Sequence, residues 1–142
     1  MSEISGTVKN VSSAISKLKA YNERIQRAKV QGVKTVAVET RDIVISKYVG
    51  GGHPDHPNII TGGLKKSIHY RMTDEVSPRV TAVVGSSVKY APWVEFGHDV
   101  KRGGNTIGIA KPYPFLRPAF NDMFNTGRAR QIFTDIVKGV MK

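Results

Sequence analysis

The chain has 142 residues, no cysteine, and 22 Lys and Arg against 11 Asp and Glu, a formal charge of +11. The length suits one domain burying roughly 70% of its unfolded surface, and the missing cysteine excludes disulfides, cysteine-based zinc sites and thiol nucleophiles. No apolar run is long enough to span a bilayer, and Met1 to Ser5 do not open a basic region followed by an apolar core, so a soluble protein with no membrane partner is expected. The basic surplus implies contact with something anionic: nucleic acid, a membrane surface or an acidic protein neighbour. The plainer alternative is a solvated surface that only aids solubility.

Taken in chain order, Ile4, Val8, Val11, Ile15, Leu18 and Ile25 form the stripe of an amphipathic helix, with Asn22 a polar gap. Lys9, Lys17, Lys19, Arg24 and Arg27 fall mostly off the stripe and should face solvent or a partner. Gly32 interrupts before Val33, Val36, Ala37, Thr40, Val44 and Tyr48 resume the spacing. A glycine costs up to ~1 kcal/mol relative to Ala in a helix, so one helix bends there or two helices meet. The apolar period does not persist cleanly past Leu18, which favours packing on a sheet over a coiled coil.

Residues 49–60 hold three glycines in a row and then Pro54 and Pro57, a helix-ending connection. His53, Asp55 and His56 have the side chains of a metal site, but the prolines constrain them and no further ligand cluster is evident, so a surface contact loop is expected instead. Thr61 can cap a short helical turn beginning near Leu64. The turn at Gly62 and Gly63 lacks the Gly-Lys-Ser or Gly-Lys-Thr of a phosphate-binding loop. Ile68, Tyr70 and Met72 alternate with His69, Arg71 and Thr73, a half-buried strand, and residues 79–86 read as a second.

The stretch 90–97 contains Tyr90, Trp93, Glu95 and Phe96 and reads as a buried corner where other elements converge. A carboxylate between Val94 and Phe96 must point to the surface or meet an Arg or Lys. Within the long loop 98–111, residues 98–106 read as polar and protruding and Ile107 to Lys111 as a returning strand, giving a hairpin whose tip carries Lys101 and Arg102. Pro112, Pro114 and Pro118 lead into a C-terminal helix with a stripe of Phe120, Phe124, Phe133, Ile136, Val137 and Val140, and Gly127 is a weak point inside it.

No sequence motif carries a catalytic mechanism. There is no Gly-x-Ser-x-Gly elbow, and the few acids are scattered, so no catalytic residue, cofactor or metal is assigned and the protein is expected not to be an enzyme. A double-stranded nucleic-acid binder would explain the charge. Against it, no helix-turn-helix or aromatic ribonucleoprotein motif occurs.

Three blocks in order carry a resemblance. They are Thr61, Gly62, Leu64, Ser67 and Ile68; then Val84, Gly85, Tyr90, Ala91, Val94, Glu95, Phe96 and Gly97; then Pro114, Phe115, Leu116, Arg117, Pro118 and Ala119. This succession resembles the neck and tail-completion proteins of tailed bacteriophages, small structural proteins that form rings between head connector and tail. The resemblance implies a virion protein made in the host cytoplasm and placed at the neck or top of the tail. It further implies a homo-oligomeric ring, hexameric in the family, with connector or adaptor proteins above and tail tube or terminator proteins below. Non-specific contact with genomic DNA in the channel is compatible with it. The alternative is a small basic protein that binds nucleic acid non-specifically.

The expected fold is α+β, a single domain over 1–142. A helical region (1–48), the Gly/Pro loop (49–60), a mostly antiparallel sheet (61–111, including the loop 98–111) and a C-terminal helix (112–142) follow in turn. Tyr90, Trp93, Glu95, Phe96, Phe115 and Leu116 are expected to determine the fold, and Lys101, Arg102, His53, Asp55 and His56 to make contacts.

Overall fold

The computed structural model of the chain describes residues 2–51, 54, 62–76 and 78–142, with side chains from residue 11 onward. In order, the elements are α1 (Ser2–Ile43), one π-helical turn (Val44–Tyr48), α2 (Gly63–Ser67), β1 (Ile68–Asp74) and β2 (Thr81–Ser86). There follow α3 (Ala91–Phe96), β3 (His98–Arg102), β4 (Asn105–Ala110), α4 (Leu116–Asn125) and α5 (Arg128–Val140). Helices and small antiparallel sheets make this an α+β fold.

Helix α1 is 42 residues long, about 63 Å at 1.5 Å per residue. It runs through Gly32 without ending, so two helices do not meet there. The glycine serves packing instead: a Cβ at Gly32 would lie 2.3 Å from Cε1 of Phe133 on α5, so the missing side chain is what lets α5 lie close. Around this contact Val36, Met123, Ala129 and Ile132 form one core, with Ile43, Phe133 and Ile136 packed against it. At the end of α1 the wider π turn is closed by the Val49 N–H donating to the Val44 carbonyl at 2.9 Å. It keeps Val44, Tyr48 and Val49 on one buried face. These residues join Leu64, Ile68, Ala91, Phe115 and Ala119 in a second core, and Ile43 touches both.

The strands form two separate antiparallel pairs, β1 with β2 and β3 with β4. A single sheet over about 66–110 was expected; the corner at 90–97 is why there are two. Gly97 adopts φ 73°, and a Cβ there would meet the Ala110 carbonyl oxygen at 2.5 Å and the Pro112 nitrogen at 3.0 Å. The corner backbone therefore sits directly on the root of the second hairpin, whose strands, among the described residues, pair with each other alone. The first hairpin alternates as its sequence suggests, with Ile68, Tyr70 and Met72 turned inward and His69 and Arg71 outward. It is tied to α1 where Gln26 donates to the Glu75 carbonyl at 3.2 Å.

Glu95 supplies the decisive contact of the corner. It is buried, yet it meets no Arg or Lys side chain among the described residues, so neither expected fate of this carboxylate is observed. Its Oε2 accepts the N–H groups of Phe115 (2.7 Å) and Leu116 (3.0 Å), and Oε1 accepts that of Arg117 (3.1 Å). These are the amides that open α4, and the next residue, Pro118, has no N–H. A helix start leaves four amide positions without an internal partner, and here all are accounted for. A negative charge at that end also complements the helix dipole. Nearby, the Tyr113 N–H donates to the Val94 carbonyl at 2.7 Å, a second tie between α3 and the approach to α4.

The C-terminal helix expected as one piece is two, because Gly127 takes φ 78° and its N–H closes the end of α4 on Phe124. Polar clamps hold the pair to the rest. Arg128 makes a bidentate contact with Glu39 on α1, both distances 2.8 Å. Asp122 on α4 accepts from Lys47 Nζ (2.6 Å) and from the Tyr48 hydroxyl (2.7 Å). The hydrogen bond from Lys47, then that from Tyr48, holds the Asp122 carboxyl below its ordinary value. The same bond to Asp122 raises the Lys47 ammonium, while burial and then Asp122 raise the Tyr48 phenol.

Three outcomes are expected. Glu95→Ala should lower stability by about 2 to 3 kcal/mol, because buried amides lose their acceptor, and a urea midpoint equal to the parent's would rule the cap out as a structural element. Gly32→Ala should destabilise by about 1 to 2 kcal/mol despite the better helix propensity of alanine, with Phe133→Leu in the same chain relieving most of the loss. The Asp122 cluster contributes above the unfolded carboxyl value of about 4 and loses its effect as pH falls through the lowered folded value. The Lys47 and Tyr48 contributions persist below about 10 and fade as pH rises through their raised values. The difference in urea midpoint between the parent and Asp122→Asn should therefore be flat near neutrality and shrink in acid, whereas a difference that persists unchanged in strong acid would count against this assignment.

Candidate assembly surface

The second hairpin reaches away from the cores. Its turn is the pair Gly103 and Gly104, at φ 58° and 84°, between the paired residues Arg102 and Asn105. Positive φ at both central residues is the turn whose twist matches two antiparallel strands, and glycine takes it without strain. The hairpin expected within 98–111 is present, and its first arm, expected as polar loop, is also a strand, so the ladder runs from His98 to Ala110 with one irregularity between Val100 and Lys101. Every residue of β3, and all of β4 except the half-buried Ala110, is exposed. The exposed set includes Val100, Ile107 and, at 79%, Ile109. Lys101 and Arg102 stand together at the tip, exposed. A two-stranded hairpin is marginal alone in water, and among the described residues neither of its edges is paired with a further strand.

At the foot of this hairpin lie the aromatics expected to be buried. Trp93 is 58% and Phe96 64% exposed, and Tyr90 is exposed too, so the reading of a buried aromatic corner is corrected. The reason is helical: α3 turns Ala91 and Glu95, four apart, inward, and this leaves Pro92, Trp93 and Phe96 outside. The Trp93 ring lies 5.8 Å from that of His98, the first residue of β3, and the Arg117 guanidinium sits 5.5 Å over Phe96. Of the remaining residues named from the sequence, Phe115 is fully buried in the second core and Leu116 packs half-buried against it. Exposed Trp, Tyr and Arg side chains are the types that most often anchor protein interfaces.

A further open surface is the first part of α1. Residues 11–24 are exposed, Leu18 at 63% with Val11, Ile15 and Tyr21 beside it. Over residues 11–24 the expected packing of this stripe on a sheet does not occur. Gln26 is bonded to the first hairpin, and the end of the chain reaches α1 where the Tyr21 hydroxyl donates to the Met141 sulfur at 3.2 Å. Lys17, Lys19, Arg24 and Arg27 are exposed along the same stretch. Ion pairs between described residues are Arg41 with Asp42, Lys47 with Asp122 and Arg128 with Glu39, so these four bases stay open to an anionic contact.

His53, Asp55 and His56 lie outside the described residues, as does Thr61. Among the described residues no group of three His, Cys, Asp or Glu is placed to hold a metal, and no helix is long and apolar enough to cross a membrane. The structure brings Lys101 and Arg102 to one tip. Val100, Ile107 and Ile109 are not among the contact residues expected from the sequence, although Ile107 opens an expected strand and its alternation with Gly108 and Ile109 gives that strand one apolar side.

A family model described as "Bacteriophage HK97-gp10, putative tail-component" matches residues 12–97, from the open part of α1 to the corner glycine. No curated protein and no solved structure matches the chain. The matched segment contains the first hairpin and the corner with Glu95, and it covers more than half of the sequence. On this evidence the chain belongs to the HK97-gp10-like family of bacteriophage tail components.

Proposed function

We propose that this chain is a ring subunit at the neck or tail-completion position, where it joins the head connector to the tail. The family assignment supports a structural role in the virion. The observation that carries the finer reading is the exposed hairpin β3–β4, with Val100, Ile107 and Ile109 on its surface and both edges open. Such an element gains its stability from a neighbour.

In this reading one domain spans 1–142 and six copies close a ring. The cores, fastened by Glu95, hold the subunit rigid, and the hairpin and the Trp93–Phe96 shelf meet the adjoining subunit. Lys101 and Arg102, with residues 50–58, meet the connector above or the tail below. The work is surface complementarity without a catalytic step. A second reading, non-specific nucleic-acid binding, draws support from the exposed bases of α1. The two are compatible if the bases line a channel through which DNA passes.

The test is electron microscopy of a lysate from a phage lacking this gene. Filled heads and tails that accumulate unjoined, or heads that leak DNA, are the expected result, and normal joined particles would refute the connector role. In a complementation assay, Lys101→Ser with Arg102→Ser should keep the fold and lower incorporation into particles about tenfold, the effect of removing a contact worth roughly 1.4 kcal/mol. Incorporation at the parental level would take the hairpin tip out of the interface. Binding to free duplex with a steep loss on raising salt, together with normal particles, would favour the second reading.

A further inference from the structure

The exposed stripe on α1 has an order that its spacing reveals once it is seen to be uncovered. Val11, Ile15, Leu18, Asn22 and Ile25 are separated by four, three, four and three residues. In heptad terms Ile15 and Asn22 take position a, and Val11, Leu18 and Ile25 take position d. In the sequence the same register reaches back to Val8 and Ile4. It also runs forward, through Lys29, to Gly32 and Val36, where the seam is occupied by α5 of the same chain through Phe133 and Ile132. One seam therefore has two stretches: the C-terminal stretch is filled from within the chain, and among the described residues nothing covers residues 11–20.

We propose that this open stretch of α1 pairs with the same stretch of a second copy of the chain, the two helices parallel and in register as a short coiled coil. A β-branched residue at a with leucine at d favours two strands, as in Ile15 and Leu18. Asn22 at a is costly unless it meets its own counterpart, which happens only when the helices are parallel and unshifted. The flanks permit the pairing despite the basic character of the chain. Positions e and g carry Ser12, Lys19 and Gln26, and Ala14 and Tyr21, so in a parallel pair Lys19 faces Ala14 of the second copy and no like charges meet. Lys17, Arg24 and Arg27 sit at c and f, away from the seam. A partner of different sequence would not need Asn22 at that place. The pairing goes beyond the ring reading and does not depend on it.

The chain has no cysteine, so single cysteines report on this geometry without background. The full-length variants Leu18→Cys, on the seam, and Ala20→Cys, at the outward f position, would be oxidised under mild conditions and the rate of covalent dimer formation compared. Leu18→Cys is expected to cross-link at least about tenfold faster, because only there do the Cβ atoms of parallel, in-register helices come within disulfide reach. Sedimentation supplies the second arm. The parent should show dimer mass, and Ile15→Glu with Leu18→Glu should show monomer mass with an unchanged thermal midpoint for the body, since both side chains are exposed in the single subunit. Equal cross-linking rates, a monomeric parent, or a double variant that keeps the parental mass would each overturn the proposal. Cross-linking that appears only when another protein is added would overturn it as well, in favour of an unlike partner.

Discussion

The arrangement of the whole second half of the chain depends on where one carboxylate ends up. Glu95 lies on a helix of only six residues, too short to be stable by itself, and its charge would be costly in the place where it is buried. The cost is offset because three backbone amides, those of residues 115–117, converge on it at hydrogen-bonding distance. Those amides have their own requirement, since a helix start buried near a core cannot rely on water. Each side solves the other's problem, and the chain between them, hairpin included, is held as a closed loop with Gly97 at one end and Pro112 to Pro114 at the other. Phe115 is positioned for complete burial by the same contact, which links the cap to the packing of the second core.

Much of this layout is legible in the sequence, but for partly different reasons. The helical region, the paired strands and the C-terminal helical segment appear from periodicity, and the corner at 90–97 stands out. Its meaning is less legible. Aromatic residues beside a glycine suggest burial, yet in a helix the residues that share a face are those three or four apart, and Ala91 with Glu95 is the pair that points inward. Trp93 and Phe96 follow from that choice as surface residues. A long-range cap leaves little trace in sequence, because the acceptor is some twenty positions away from its donors. The N-cap itself is Phe115, whose side chain has no oxygen to accept from those amides, and nothing local says which distant residue supplies one.

The glycines illustrate the same gap between pattern and cause. Gly127 resembles a flaw inside a long helix and is instead its terminus, because it adopts a positive φ. Gly32 resembles a terminus and is instead a docking point, because a neighbouring ring needs its space. Local propensity alone cannot separate these cases. What separates them is whether the backbone or an adjacent element needs the missing side chain, and that is a tertiary property. The apolar stripe of α1 shows the converse case: its pattern is plain, yet α5 packs on it only around Gly32 and Val36, and among the described residues nothing covers 11–20.

Helix α1 contributes Val36 to one core, touches both through Ile43 and continues toward its N-terminus past Tyr21, where residues 11–20 are exposed. Over the roughly 28 Å from Tyr21 back to Ser2, each degree of tilt displaces the far end by about 0.5 Å. The precision with which Tyr21, Gly32 and Ile43 seat the helix therefore sets how precisely its exposed stretch is presented to whatever meets it.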